Sequence, residues 1–238
     1  MATPRPERDE YMMSIALAVA TRTNCMKTPV GAIIVQDYRV RAVGYNGTVE
    51  GYRNCFDGGC PRCKNAVIDR GTKLDECVCA HAEQNALLAA ARYGIAVEGA
   101  ECWVTNEPCL DCTKSLIQAK VRTVRFWQPY KYSGPGDHQR NRSAMRKHSA
   151  TQKRGTKFVP WKPGPGAMLG LANQYRALED RIDAYAHNQD KKAKRAAAGK
   201  AKANRDKRSA ARRASARKTS AGKPVRRRAT KARPSRSE

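Results

Sequence analysis

Two short motifs have to meet in space if this chain is to use the chemistry it carries: His81-Ala82-Glu83 and Pro108-Cys109-Leu110-Asp111-Cys112. One imidazole and two thiolates make three ligands for zinc, and a catalytic zinc keeps a fourth position open for water. A fold that serves this pattern must bring the start of one helix against the start of another. His81 opens an alanine-rich helical stretch that runs to Arg92 and is stopped by Tyr93-Gly94. Cys109 and Cys112 project from one side of a helix entered through Pro108. A helix N-terminus favours negative charge and so stabilises thiolates. Zinc held by His81, Cys109 and Cys112 lowers the pKa of water in its open position toward neutrality. Glu83 is not needed as a ligand and is free to carry protons, a role worth about 10²–10⁴-fold in rate.

A competing reading makes Cys109 and Cys112 half of a closed zinc ribbon, with Cys60-Pro61-Arg62-Cys63 as the other half. That arrangement leaves His81-x-Glu83 without a role. The chain has nine cysteines, an odd number in tight pairs, which fits metal binding better than a disulfide framework. Thiolate zinc sites also suit a reducing, cytoplasmic compartment. Cys60, Cys63, Cys77 and Cys79 offer four thiolates, enough for a second, structural zinc, and Cys25 or Cys55 could replace one of them. Against this stands the plainer reading that several are small buried hydrophobes or free thiols. Cys102, inside a strand, reads as core packing.

The pattern along the chain predicts helix 8–22, then the β-branched runs Val30–Gln36 and Arg39–Tyr45 as a hairpin around Asp37-Tyr38. In helix 8–22 the residues expected to turn inward are Met12, Ile15 and Val19, with Ala16. Residues 48–79 read as a long loop, which a compact domain tolerates poorly unless a metal staples it. Helix His81–Arg92, strand Ala100–Thr105, helix Cys109–Ala119 and strand Val121–Trp127 follow. The order β-β-α-β-α-β places helices against a sheet, an α/β layered domain. Residues 128–166, rich in Gly, Pro, Lys and Arg, read as loop with a short strand at Lys157–Val159. Met168–His187 has helical spacing in Leu171, Tyr175, Leu178, Ile182 and Tyr185. The expected domains are therefore a catalytic domain over 8–166, a C-terminal helix over 167–190 and a tail over 191–238.

Charge separates that tail from the rest. The net charge is +26, and residues 191–238 hold 20 basic residues against Asp206 and Glu238, leaving +8 for residues 1–190. The tail has no aromatic residue and one branched aliphatic, Val225, so it cannot bury enough apolar surface to offset chain entropy and is expected to be disordered. Its basic residues would meet nucleic acid phosphates through counterion release, or serve simply as solvated charge. Arg226-Arg227-Arg228 would suit nuclear import in a eukaryote. Near the other end, Arg5 and Arg8 precede the apolar run Tyr11–Ala20, the outline of an export signal. Asp9, Glu10 and Ser14 spoil that outline and favour a first helix. No apolar stretch approaches the ~20 residues that span a bilayer, so no membrane partner is expected.

His-x-Glu followed by Pro-Cys-x-x-Cys is the signature of the zinc-dependent nucleobase deaminases. The segments Asn24-Cys25-Met26-Lys27, Val30–Val35, Gly44-Tyr45-Asn46-Gly47-Thr48, Asn54–Cys63 and Cys79–Ala86 resemble the deoxycytidylate (dCMP) deaminases, in the cysteine-rich branch of fungi and bacterial competence-type homologues. The likeness covers roughly residues 8–130. It implies a three-layer α/β/α fold with a central mixed sheet, and hydrolysis of dCMP to dUMP and ammonia for thymidylate synthesis. It also implies oligomers, often hexamers, activated by dCTP and inhibited by dTTP with Mg2+. Asn46 would then bond the 3′-hydroxyl of the nucleotide, where otherwise it is a turn residue. Tyr130 and Tyr132 either line the nucleotide pocket or serve only as packing. Val49-Glu50 departs from the proline usual after Gly-Tyr-Asn-Gly-Thr, close to the expected phosphate and effector contacts. Two other functions compete: a polynucleotide deaminase that holds tRNA or DNA with the tail, which the stretch Glu107–Cys112 also resembles, and a non-enzymatic zinc module that binds nucleic acid.

Overall fold

The computed structural model describes residues 5–65, 67–68, 72–130, 136–164 and 167–220. The chain divides into two compact units, Met1–His187 and Asn188–Glu238. In the first, α1 (Arg8–Ala20) leads into β1 (Gly31–Gln36) and β2 (Arg39–Tyr45). These strands pair antiparallel around Asp37 and Tyr38, whose φ values of 50° and 61° give the left-handed two-residue turn that a tight hairpin needs. A two-rung ladder joins β3 (Gly47–Thr48) to β4 (Cys79–Ala80). Among the described residues, the intervening loop holds only α2 (Pro61–Lys64) and a 3-10 turn, Leu74–Glu76. Then come α3 (Ala82–Arg92), β5 (Glu101–Asn106), α4 (Leu110–Gln118), β6 (Thr123–Gln128), α5 (Gly136–Thr151), β7 (Lys157–Pro160) and α6 (Ala167–Ser220).

The main sheet has the order β2-β1-β5-β6-β7. β5, β6 and β7 run parallel and β1 lies antiparallel to both its neighbours, so the sheet is mixed, as expected. Alternating strand residues face opposite ways. Ala32, Ile34, Cys102, Val104 and Val124 pack with the alanines of α3 and with Leu116 of α4. Ile33, Val35 and Trp103 pack on the other face with Met12, Met13, Ala16 and Leu17 of α1. The result is three layers, α/β/α, with both sheet faces covered. Each fully buried aliphatic or aromatic side chain of this kind contributes about 1.5–3 kcal/mol. Gly44 permits the closest approach between layers: a Cβ there would lie 2.2 Å from the Ala82 carbonyl oxygen and 2.3 Å from the Ala86 nitrogen. β2 thus sets the position of α3.

The structure departs from the sequence reading in three places. The buried face of α1 is Met12, Met13, Ala16, Leu17 and Ala20, while Ile15 and Val19 are only partly buried. Sheet contact on a helix this short follows a wider stripe than the one inferred. Residues 136–151, read as loop, form α5. β7 appears where a short strand was expected. Residues 191–220, expected to be disordered, continue α6 to Ser220. Lack of apolar residues denies this segment a tertiary core, but Ala, Lys and Arg are among the strongest intrinsic helix formers. Residues 221–238, including Val225, Arg226-Arg227-Arg228 and Glu238, lie outside the described residues, as does Tyr132. No helix among the described residues is long and apolar enough to cross a membrane.

Candidate metal centre and active site

β4 ends at Ala80 and delivers His81 as the N-cap of α3; β5 ends at Asn106 and delivers Cys109 as the N-cap of α4. The His81 N–H donates to Gln84 Oε1 at 3.2 Å, and the Cys112 N–H reaches Cys109 Sγ at 3.5 Å. Two helix N-termini therefore converge on one point, where aligned peptide dipoles favour anionic sulfur. His81 Nδ1 lies 3.4 Å from the sulfurs of both Cys109 and Cys112. A tetrahedral zinc with bonds near 2.0 Å to nitrogen and 2.3 Å to sulfur needs an N-to-S separation of roughly 3.5 Å. The donor set and its spacing fit zinc, with three ligands and room for a fourth.

Glu83 occupies the first turn of α3 and is 4% exposed. Burial pushes its carboxyl up to about 7, and the neighbouring Cys109 thiolate adds to the rise. Burial pulls on His81 in the opposite sense, but the hydrogen bond with Cys109 wins and lifts the imidazole to about 9. Cys109 is held down at about 4, first by its hydrogen bond with Cys112 and then, against the burial penalty, by His81. These are the properties of a site built to hold a cation: a thiolate and a carboxyl confined together out of water.

The centre opens into a cavity of about 410 Å³. His81, Glu83 and Cys109 form its floor, and Asn46, Trp127 and Tyr130 line its sides. The buried Asn46 side chain is already engaged: its Oδ1 accepts from Thr23 Oγ1 (2.7 Å) and the Val30 N–H (2.9 Å), and its Nδ2 donates to the Thr28 carbonyl (2.8 Å). It therefore shapes the 28–30 loop, and its second amide hydrogen has no partner among the described residues. Sequence reasoning missed Lys27, Arg176 and Glu179, which also line the cavity. The helical spacing that marked Tyr175 as buried could have pointed to its neighbours.

It also missed a clamp behind the metal ligands. Arg142 and Arg146 of α5 donate to the Pro108 carbonyl at 3.2 and 2.7 Å, one residue before Cys109. Arg146 also bonds the Glu107 carboxylate, whose other oxygen accepts the Tyr130 N–H at 2.9 Å. Arg142 approaches Glu107 to 3.6 Å and is 4% exposed in its side chain.

The six remaining loop cysteines come together. Cys60, Cys63, Cys77 and Cys79 form one group and Cys25, Cys55, Cys63 and Cys79 another, with the sulfurs of each group within 4.8 Å of one another. Sequence spacing had marked the first group and offered Cys25 and Cys55 only as substitutes. Cys60-x-x-Cys63 pairs with these sulfurs and not with Cys109 and Cys112, against the ribbon alternative. Cys102 is fully buried in β5, in the core.

Residues 6–128 match the family model described as the cytidine and deoxycytidylate deaminase zinc-binding region. The chain is 42% identical over 127 residues to the deoxycytidylate deaminase of Saccharomyces cerevisiae, covering 53% of this chain and 39% of that protein. It is 39% identical over 126 residues to the deoxycytidylate deaminase of Mycobacterium phage D29, covering 51% of this chain and 95% of that protein. The chain thus spans about two-fifths of the yeast relative's length. Among solved structures, dCMP deaminase from the cyanophage S-TIM5 in complex with dCMP and dUMP is similar, at 27% identity and a TM-score of 0.49, over 67% of this chain and 100% of that chain. With the family's zinc-binding region matched across half its length, this chain belongs to the cytidine and deoxycytidylate deaminase family.

Proposed function

We propose that the chain hydrolyses dCMP to dUMP and ammonia, feeding thymidylate synthesis. The observation that carries this is the buried Glu83 beside the His81, Cys109 and Cys112 triangle, at the floor of a cavity of nucleotide size. Zinc, when bound there, supplies Lewis acidity and lowers the pKa of water. The chain's own residues do the rest. In the net reaction the water oxygen bonds to C4 of the cytosine, the C4–N4 bond breaks and the nitrogen leaves as ammonia. Glu83 takes the water's proton and returns protons to N3 and to the departing amine. A carboxyl near 7 both accepts and gives protons readily at neutral pH. Trp127, set edge-on to Tyr175 at 5.4 Å, offers an aromatic wall for the base. The free amide hydrogen of Asn46 is left for the sugar 3′-hydroxyl, and Arg176, which lines the cavity, is the cation proposed for the phosphate, the Lys27 ammonium being held by the Asn65 and Ile68 carbonyls.

The reading extends to a structural zinc among the six clustered cysteines, to a homo-oligomer, a hexamer by family habit, and to control by dCTP and dTTP with Mg2+. A second reading, a polynucleotide deaminase, is favoured by one observation: the exposed lysines and arginines of α6 between Lys191 and Arg208. A cytoplasmic setting suits the free thiols. The test is a substrate panel with the purified zinc protein. Ammonia should be released from dCMP, and Glu83→Ala should abolish release while zinc is retained. Activity confined to tRNA or single-stranded DNA would reject dCMP as substrate.

A further inference from the structure

The two groups of four cysteines are not alternatives: they share two members, Cys63 and Cys79. Six sulfurs arranged this way contain two complete tetrads with a common edge. The separations match. A tetrahedral zinc with bonds near 2.3 Å holds its sulfurs about 3.8 Å apart. Cys25 and Cys63 are 3.9 Å apart, Cys60 and Cys77 are 3.7 Å apart, and Cys63 and Cys77 are 4.0 Å apart. All six are free thiols and five are buried. Crowded sulfurs out of water cannot all ionise without cations among them. One zinc would satisfy four and leave two of these crowded thiols without a metal.

We propose that these six cysteines hold two zinc ions as one binuclear cluster, with the Cys63 and Cys79 sulfurs bridging the metals, Cys25 and Cys55 completing one and Cys60 and Cys77 the other. This deepens, and rests on, the reading that the clustered cysteines bind structural zinc. Six thiolates and two divalent ions leave a net charge of −2. Nearby donors answer it: Arg62, 4% exposed, points Nη1 at the bridging Cys63 sulfur from 3.8 Å, and the Lys27 N–H reaches Cys25 Sγ at 3.5 Å. The cluster also ties together three chain segments, around residues 25, 55–63 and 77–79, in a region with almost no regular structure.

The experiment counts metal in the full chain. Native mass spectrometry of the zinc protein should show three zinc ions per chain, one catalytic and two clustered. Cys60→Ser should remove one, Cys25→Ser should remove one, and His81→Ala should remove one while leaving the pair. Should a cysteine variant not fold, cadmium-113 NMR of the wild-type protein decides. Two thiolate-only resonances should split each other through the shared sulfurs. Two zinc ions per chain, or cadmium resonances without mutual splitting, overturn the proposal. Turnover of dCMP by the same samples is scored separately, so an inactive protein with three zinc ions rejects the proposed activity and leaves the cluster standing.

Discussion

Arg146→Ala tests whether α5 is part of the catalytic framework. The guanidinium bonds the Glu107 carboxylate, donates to the Pro108 carbonyl at 2.7 Å and to Thr113 Oγ1 at 3.2 Å, and lies 4.4 Å over the Phe158 ring. Both partners of the ion pair are largely shielded, with side-chain exposures of 12% and 16%. Removing one member of a buried pair costs about 3–5 kcal/mol, because the other charge is stranded. Glu107 keeps Arg142 and the Tyr130 N–H, so the expected loss is reduced to about 2–4 kcal/mol. For a domain of this size that is a fall in Tm of roughly 6–12 °C. The assay is a double-mutant cycle with Arg146→Ala and Glu107→Gln, read by urea unfolding of the zinc protein. A coupling energy above about 1.5 kcal/mol is expected, with weaker zinc retention in both single variants because the clamp holds the residue before Cys109. A coupling below about 0.5 kcal/mol, the value of an exposed ion pair, would refute the reasoning.

Glu83→Gln should abolish deamination yet stabilise the zinc-free protein at alkaline pH. The folded carboxyl titrates near 7 against an ordinary 4.5, so the folded state binds its proton more tightly. Wild-type stability should therefore be intact below pH 4.5 and fall as pH rises through 7, by about 3 kcal/mol relative to the glutamine variant; a pH-independent difference in urea midpoints would contradict this. Gly44→Val should displace α3 and cost several-fold in zinc affinity as well as stability, since its Cβ would start 2.2 Å from backbone; unchanged metal binding by competition titration would show that α3 is not set by β2. Deleting residues 191–238 should leave dCMP turnover nearly intact and weaken DNA binding at low salt, with a collapse of turnover counting against a separable tail.

What the sequence disclosed and what it hid follow from the kind of force involved. His81, Glu83, Cys109 and Cys112 were legible because metal ligation fixes residue type and spacing together. β1 and β5 were legible because strands covered on both faces read as continuous apolar runs, and the edge strand β2, with only Ala42 and Gly44 buried, was legible by the β-branched residues that pair it to β1. α5 was not, because its buried residues are Arg142 and Ser149. It docks by guanidinium groups on a carbonyl and a carboxylate, and apolar periodicity has nothing to register there. The extent of α6 was missed by asking only whether the segment could bury a core, when local propensity alone favours a helix. The partnership of Cys25 and Cys55 with Cys63 and Cys79 is long-range, and no local spacing announces it.

One residue, Ala80, separates the sulfur of Cys79 from the imidazole of His81, and the two-rung ladder beneath them gives that link no slack. Damage to the sulfur cage by an oxidant, or starvation for metal, would be transmitted along that rigid tether to the reacting centre. Under the proposed activity, turnover would then be lost through a single intervening residue while the packing of the sheet on its helices was still intact.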